Sequence, residues 1–214
     1  MTVDDTSTWT EVTDDAALRE VLGTPSGAAV GKERTALHEL DRQWIAASPF
    51  LLMATAGADG TCDVSPKGDP AGFVHVLDDT TIAMPERPGN KRADGWVNVL
   101  SNPHVGLIFV VPGRTDTLRV NGRARLVRDA PFFDDLVVRG HRPLVALVVE
   151  VEQVFHHCGK AFLRSRLWDP DSWNPDALPR RSVIARELER PGADLAELDA
   201  YYGPAYAERL YRPT

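Results

Sequence analysis

Cysteine is scarce in this chain: Cys62 and Cys158 are the two thiols among 214 residues. Two thiols cannot build a disulfide framework, so the fold must hold through an apolar core, and a reducing cytoplasm is the expected compartment. No apolar run approaches the roughly 20 residues that cross a bilayer. The start, MTVDDTSTWTEVTDD, lacks the basic and apolar regions of a signal peptide. An excess of positive charge is missing too: 24 Lys and Arg face 31 Asp and Glu, for a net charge of −7. That balance argues against nucleic acid as a partner, and any local basic cluster then calls for something smaller. Internal repeats and low-complexity segments are absent.

Several chemical signatures also fail. No G-x-G-x-x-G follows a strand, so a Rossmann site is not supported. GAAVGKE at 27–33 is one residue short of a P-loop, and Glu33 stands where a magnesium-binding hydroxyl belongs. There is no G-x-S-x-G elbow. His156, His157 and Cys158 are adjacent, but no second ligand cluster at zinc-like spacing accompanies them, and His38, His75, His104 and His141 are scattered. No metal is expected.

What is present reads as a soluble globular chain, with 43% hydrophobic and 26% charged residues. Asp14 to Leu22 is a short helix candidate, Gly23 to Gly31 a loop. Arg34 to Ala47 places Leu37, Leu40, Trp44 and Ile45 on one helical face, ended by Ser48-Pro49. Strands follow at Phe50–Ala56, Thr61–Ser65, Phe73–Leu77, Thr81–Met84, Val105–Val111, Leu118–Val127 and Leu144–Phe155. Short strands at hairpin spacing with few long helices predict a mainly β fold, an antiparallel β-barrel with peripheral helices. Three regions are expected: a helical segment at 1–48 packing on the barrel, the barrel domain at 49–168, and an irregular, helical extension at 169–214.

The densest signal runs from Met84: MPERPGNKRADGWVNVLSNPHVGLIFVVPGRTDTLRVNGRARL. A Pro/Gly loop delivers Lys91 and Arg92 to the start of a short helix, where free N–H groups and the helix dipole favour a phosphate dianion. The strand at 118–126 alternates Arg119, Asn121, Arg123 and Arg125 with apolar residues, which sends the two sets to opposite faces. That polar face reads either as a solvated surface or as the seat for the rest of a phosphorylated cofactor. Val105 to Val111 is apolar on both faces, which implies a second covering layer such as another subunit.

The order of these blocks resembles the flavin-binding split-barrel proteins of the pyridoxamine 5′-phosphate oxidase class. The blocks are FLLMATAGADG, DVSPKGDPAGFVHVLDD, RPGNKRADGWVNVLSNP, HVGLIFVVPG, TLRVNGRARL and VVEVEQVFHHCGKAFLRSRLW, the last similar to one FMN-dependent subgroup. The likeness covers roughly Phe50 to Trp168, and it is the order of several blocks that makes it specific.

The resemblance implies an FMN-binding split β-barrel, a homodimer with flavins in clefts between two barrels, and a flavin-dependent oxidoreductase acting on a small molecule. The alternatives within it are a reductase using the deazaflavin F420, whose oligoglutamyl tail suits a basic groove, and a non-catalytic flavin or haem-type binder. By position, the SPKGDP block puts Ser65 and Lys67, with Asp69 following, beside the cofactor. Asn90, Lys91 and Arg92 fall near the phosphate and ribityl chain, and Arg119 and Asn121 reach toward the cofactor. Lys67 also reads as an ordinary turn lysine. If Gly159 to Leu167 is helical, Lys160, Arg164 and Trp168 share a face that either closes over the flavin or leaves basic residues exposed while Ala161, Phe162 and Leu167 pack on the barrel. No catalytic residue is assigned, because the donors in these blocks are Arg, Lys, Asn and Ser.

Overall fold

The computed structural model describes residues 8–211, and what the sequence suggests for 1–7 and 212–214 lies outside them. The chain divides into two compact units, residues 1–33 and 34–214. In the first, α1 (Asp15–Leu22) is capped by Asp14, whose carboxylate accepts the Ala17 N–H at 2.8 Å. The segment at 23–31, expected to be a loop, contains a one-turn helix, α2 (Gly27–Val30), because Ser26 caps it.

In the second unit, the helix expected from Arg34 begins only at Glu39: α3 spans Glu39–Ala47. Arg34 is instead held extended by a two-way backbone bridge to Val154, at 3.1 and 2.7 Å. His38 forms the cap, and the buried Asp41 carboxylate binds both the His38 N–H and the Arg34 guanidinium. Seven strands follow: β1 (Phe50–Ala56), β2 (Cys62–Gly68), β3 (His75–Val76), β4 (Thr81–Pro85), β5 (His104–Val110), β6 (Thr117–Val127) and β7 (Ala146–His157). Between β4 and β5 lies α4 (Asp94–Ser101), and after β7 come α5 (Lys160–Ser165), α6 (Arg181–Leu188) and α7 (Leu195–Tyr201).

The strands form one antiparallel sheet in the order β2-β1-β5-β6-β7-β4-β3. Its edge strands, β2 and β3, are not paired with each other among the described residues, so the sheet is not a closed barrel. Period-two alternation builds the core. Leu51 and Met53 from β1, Leu107 and Phe109 from β5, Leu118 and Val120 from β6, and Leu147 and Val149 from β7 are all essentially inaccessible. Trp44 and Ile45 of α3 and Val99 of α4 pack against them. Each such large side chain contributes about 1.5–3 kcal/mol by leaving water.

The β6–β7 ladder changes register between Asn121 and Gly122. A Cβ at Gly122 would sit 2.0 Å from the Glu150 carbonyl oxygen, so only glycine allows this approach. The second face of β5 is not fully covered. Ile108 is half-buried, and its neighbours Phe50 and Leu52 on β1 are each 37% exposed. The helix expected over Gly159–Leu167 is shorter than the spacing suggests, because Arg166 turns left-handed at φ 52°. Trp168 therefore leaves the face of Lys160 and Arg164. It stacks on Phe162 and donates its indole N–H to the Arg114 carbonyl at 2.7 Å.

Candidate functional site

A cleft of about 590 Å³ is lined mainly by three chain segments, with Leu126 and Val145 completing it. The edge strand β2 contributes Ser65 and Lys67, which alternate with the exposed Val64 and Pro66 and therefore share one face. The loop after β4 contributes Glu86, Arg87, Asn90, Lys91 and Arg92, and the first turn of α4 adds Trp96. Five of the residues singled out from the sequence (Ser65, Lys67, Asn90, Lys91 and Arg92) thus line one hollow.

Local chemistry explains how the loop gets there. Asn90 Oδ1 accepts the Arg92 N–H at 3.1 Å, tightening the turn. Lys91 and Ala93 adopt left-handed backbone at φ 60° and 57°. Ala93 caps α4 without offering a side-chain acceptor to its first turn. The helix is pressed onto the sheet at its start, since a Cβ on Gly95 would meet Met53 Cε at 2.8 Å. Asn98 fastens it there through Nδ2, which donates to Thr55 Oγ1 at 3.1 Å and to Asp63 Oδ2 at 2.7 Å.

Charge is unevenly distributed in the cleft. Arg92 is 75% exposed and pairs with Asp94 at 2.7 Å. Deeper in, the Lys67 ammonium lies 5.6 Å from the centroid of the Trp96 ring. Burial pushes the Lys67 pKa down, with Glu86 opposing. Burial pushes the Glu86 carboxyl up, with Lys67 and Arg87 opposing. Arg87 is anchored at the rear: Nε donates to Asp69 Oδ2 at 2.5 Å and Nη2 to the Leu136 carbonyl at 2.8 Å. Its Nη1 is buried with no hydrogen-bond partner among the described residues. A buried guanidinium nitrogen in that state costs free energy until an acceptor reaches it.

The other sequence candidates lie elsewhere. Asn121 lines an adjoining hollow of about 460 Å³ that shares Asp63 and Val64 with the cleft. Asn121 Nδ2 donates to Gln153 Oε1 at 2.6 Å, and Arg119 Nε donates to Asn121 Oδ1 at 3.1 Å. Arg119 also lies over the Phe155 ring, 5.3 Å from its centroid. Lys160 and Arg164, on α5, line neither hollow. Asp69 does not line the cleft but holds Arg87 from behind. Glu86, Arg87 and Trp96 are cleft residues that the sequence signals only by their place in the Pro/Gly loop and the first helical turn. His156 Nε2 sits 3.2 Å from Asp41, and no group of three or more metal-ligating side chains occurs among the described residues. No helix among them is long and apolar enough to cross a membrane.

An antiparallel β domain with a cleft between its edge strand and a loop carrying Arg87, Lys91 and Arg92 is the class that this geometry defines. Residues 37–158 match the family described as pyridoxamine 5′-phosphate oxidase, and the chain belongs to that family. Among solved structures, HupZ of Group A Streptococcus is 18% identical, with 56% of this chain and 93% of that one covered at a TM-score of 0.46. An FMN-binding protein from Syntrophomonas wolfei is 12% identical, with 56% and 89% covered and a TM-score of 0.41. An F420 reductase is 17% identical, with 56% and 98% covered and a TM-score of 0.41. No curated protein matches the chain.

Proposed function

We propose that this protein is an FMN-dependent oxidoreductase of the pyridoxamine 5′-phosphate oxidase class, built on a flavin-binding split barrel. The observation that carries this reading is the cleft itself, which joins the Lys91–Arg92 loop at the start of α4 to Ser65 and Lys67 on β2. The residues fit FMN. A phosphate dianion wants cations and amide donors, which Asn90, Lys91, Arg92 and the uncapped helix start provide. The ring carbonyls want N–H and O–H donors, which Ser65 and Lys67 provide.

Bound FMN would supply the redox chemistry. The chain's own part is binding, orientation and electrostatics. Lys67, partly desolvated beside Trp96, holds a positive charge that favours electron density placed near it. Glu86 opposes the effect of burial on Lys67, because its carboxylate favours the protonated ammonium. No side chain here is assigned as an obligatory acid, base or nucleophile.

The working form is a homodimer in the cytoplasm, with a small-molecule substrate and electron donor. Its motive is the sheet face bearing Phe50, Leu52 and Ile108, which the single chain leaves partly uncovered. A stable interface of this kind typically buries more than about 2,000 Å². Light scattering over a dilution series tests it, and a flavin-loaded monomer at micromolar concentration would sink the dimer.

The row Arg119, Arg123 and Arg125 on β6 favours a second reading, in which the deazaflavin F420 is the ligand and its acidic tail follows that row. Parallel titration with FMN and F420 decides between them. Saturable binding of FMN followed by reduction with NAD(P)H and turnover with an acceptor supports the enzyme. Binding without turnover leaves a carrier or binding protein, and binding of neither ligand overturns the flavin reading.

A further inference from the structure

The last described residue of the chain is tied to its middle. Tyr211 donates its hydroxyl to Asp69 Oδ1, 142 positions away in sequence. The Asp69 side chain is 1% exposed, and its other oxygen holds Arg87. The Tyr211 ring is flanked on both sides. The His141 ring stacks on it at 5.8 Å and 22°, and the Arg139 guanidinium lies 5.3 Å from its centroid. Both flanking residues come from one tight turn, in which Arg139 and Gly140 take φ of 51° and 80° and the Val138–His141 bridge closes the ends. Three segments distant in sequence, at Asp69, Arg87 and the 138–141 turn, therefore converge to make a socket for one tyrosine. Burial and the bond to Asp69 hold the phenol in its neutral, donating form.

Two of those segments also carry the candidate cleft. Asp69 lies two residues beyond Lys67, and Arg87 belongs to the loop that forms the cleft wall. The backbone of that wall is otherwise pinned where the Glu86 N–H meets the Val145 carbonyl at 2.9 Å. We propose that the segment Gly203–Tyr211 is a strap: seating Tyr211 in its socket keeps Arg87 clamped on Asp69 and so fixes the Glu86–Gly89 wall of the cleft. Without the hydroxyl, a buried carboxylate loses a donor and its hold on Arg87 must serve alone. The strap rests on the flavin reading only for the identity of the ligand that the wall retains.

The test is hydrogen exchange on the ligand-free full chain, comparing the parent protein with Tyr211→Phe and Tyr211→Ala, followed by FMN release from loaded samples. Loss of a hydrogen bond to a charged group should open the wall about tenfold or more often. Exchange at 84–90 should therefore speed up in both variants, while β5 keeps its protection and FMN leaves faster. Unchanged exchange at 84–90 would overturn the strap. So would faster exchange spread evenly over β5, because Tyr211 would then support the whole fold and not the wall. If the parent protein holds no FMN but the local exchange change appears, the flavin reading fails and the strap stands.

Discussion

Two arginine–aspartate pairs stand at opposite ends of the same short loop, and they have different work. Arg87–Asp69 is sunk into the protein, with side chains 14% and 1% exposed. Arg92–Asp94 lies in solvent, with side chains 75% and 41% exposed. The contact chemistry is the same, but the surroundings are not. Removing one member of a buried pair strands a charge away from water, whereas an exposed pair exchanges partners at almost no cost. The first pair is thus a fixture, and the second is an exposed guanidinium only lightly held by its neighbour.

The sharpest way to break this comparison is Arg87→Ala. Leaving Asp69 buried and uncompensated should cost about 3–5 kcal/mol of stability, read from urea unfolding. A loss under about 1 kcal/mol would mean that the two pairs are equivalent after all. Next comes Arg92→Ala, which should change stability by less than about 1 kcal/mol. It should weaken FMN by about one to two orders of magnitude while leaving riboflavin nearly untouched, because only FMN carries the dianion. Equal losses for both ligands in calorimetry would remove the phosphate role.

Asp94→Asn sharpens the contrast from the other side. Freed from its carboxylate, Arg92 should bind FMN up to severalfold more tightly, in line with the roughly 0–1 kcal/mol that an exposed pair is worth. The same change removes a negative charge from the first turn of α4 and should lower stability by about 0.3–1 kcal/mol. Weaker FMN binding would show that Asp94 orients Arg92 instead of competing for it.

The smallest effect concerns Glu86, which lies next to the buried pair. Its folded pKa is raised above the ordinary 4.5, mainly by burial. Between 4.5 and that raised value the folded state binds more protons than the unfolded one, so stability falls as pH rises through this window. Glu86→Gln should therefore raise the melting temperature slightly at neutral pH, with the gain vanishing below pH 4.5. A gain that persists in acid would have to come from something other than ionisation.

The sequence discloses these regions unequally. β1 matches its expected bounds, and β6 and β7 lie within two residues of theirs, because period-two alternation is a local property. The loop cations are legible for a similar reason, since Asn90, Lys91 and Arg92 sit between turn residues and an amphipathic helix. Arg87 is not legible. Its importance comes from Asp69 and Leu136, which only the folded chain brings to it. The start of α3 is misread because Arg34 lies within a run of good helical spacing and is captured by Val154, over a hundred residues away. Likewise, the short α5 follows from one left-handed residue, Arg166, that periodicity does not report.

Lys91 and Ala93 carry side chains in backbone conformations that glycine would adopt more comfortably. Each costs roughly 1–2 kcal/mol against right-handed backbone. The flanking Pro88-Gly89 invites the reading of a floppy loop, yet the Cβ atoms at 91 and 93 remove most of the alternatives that glycine would allow. A ligand using a pre-shaped loop would spend less of its contact energy on ordering the chain, so more of that energy would survive as affinity. Glycine at either position would relax the folded chain and at the same time raise that ordering cost.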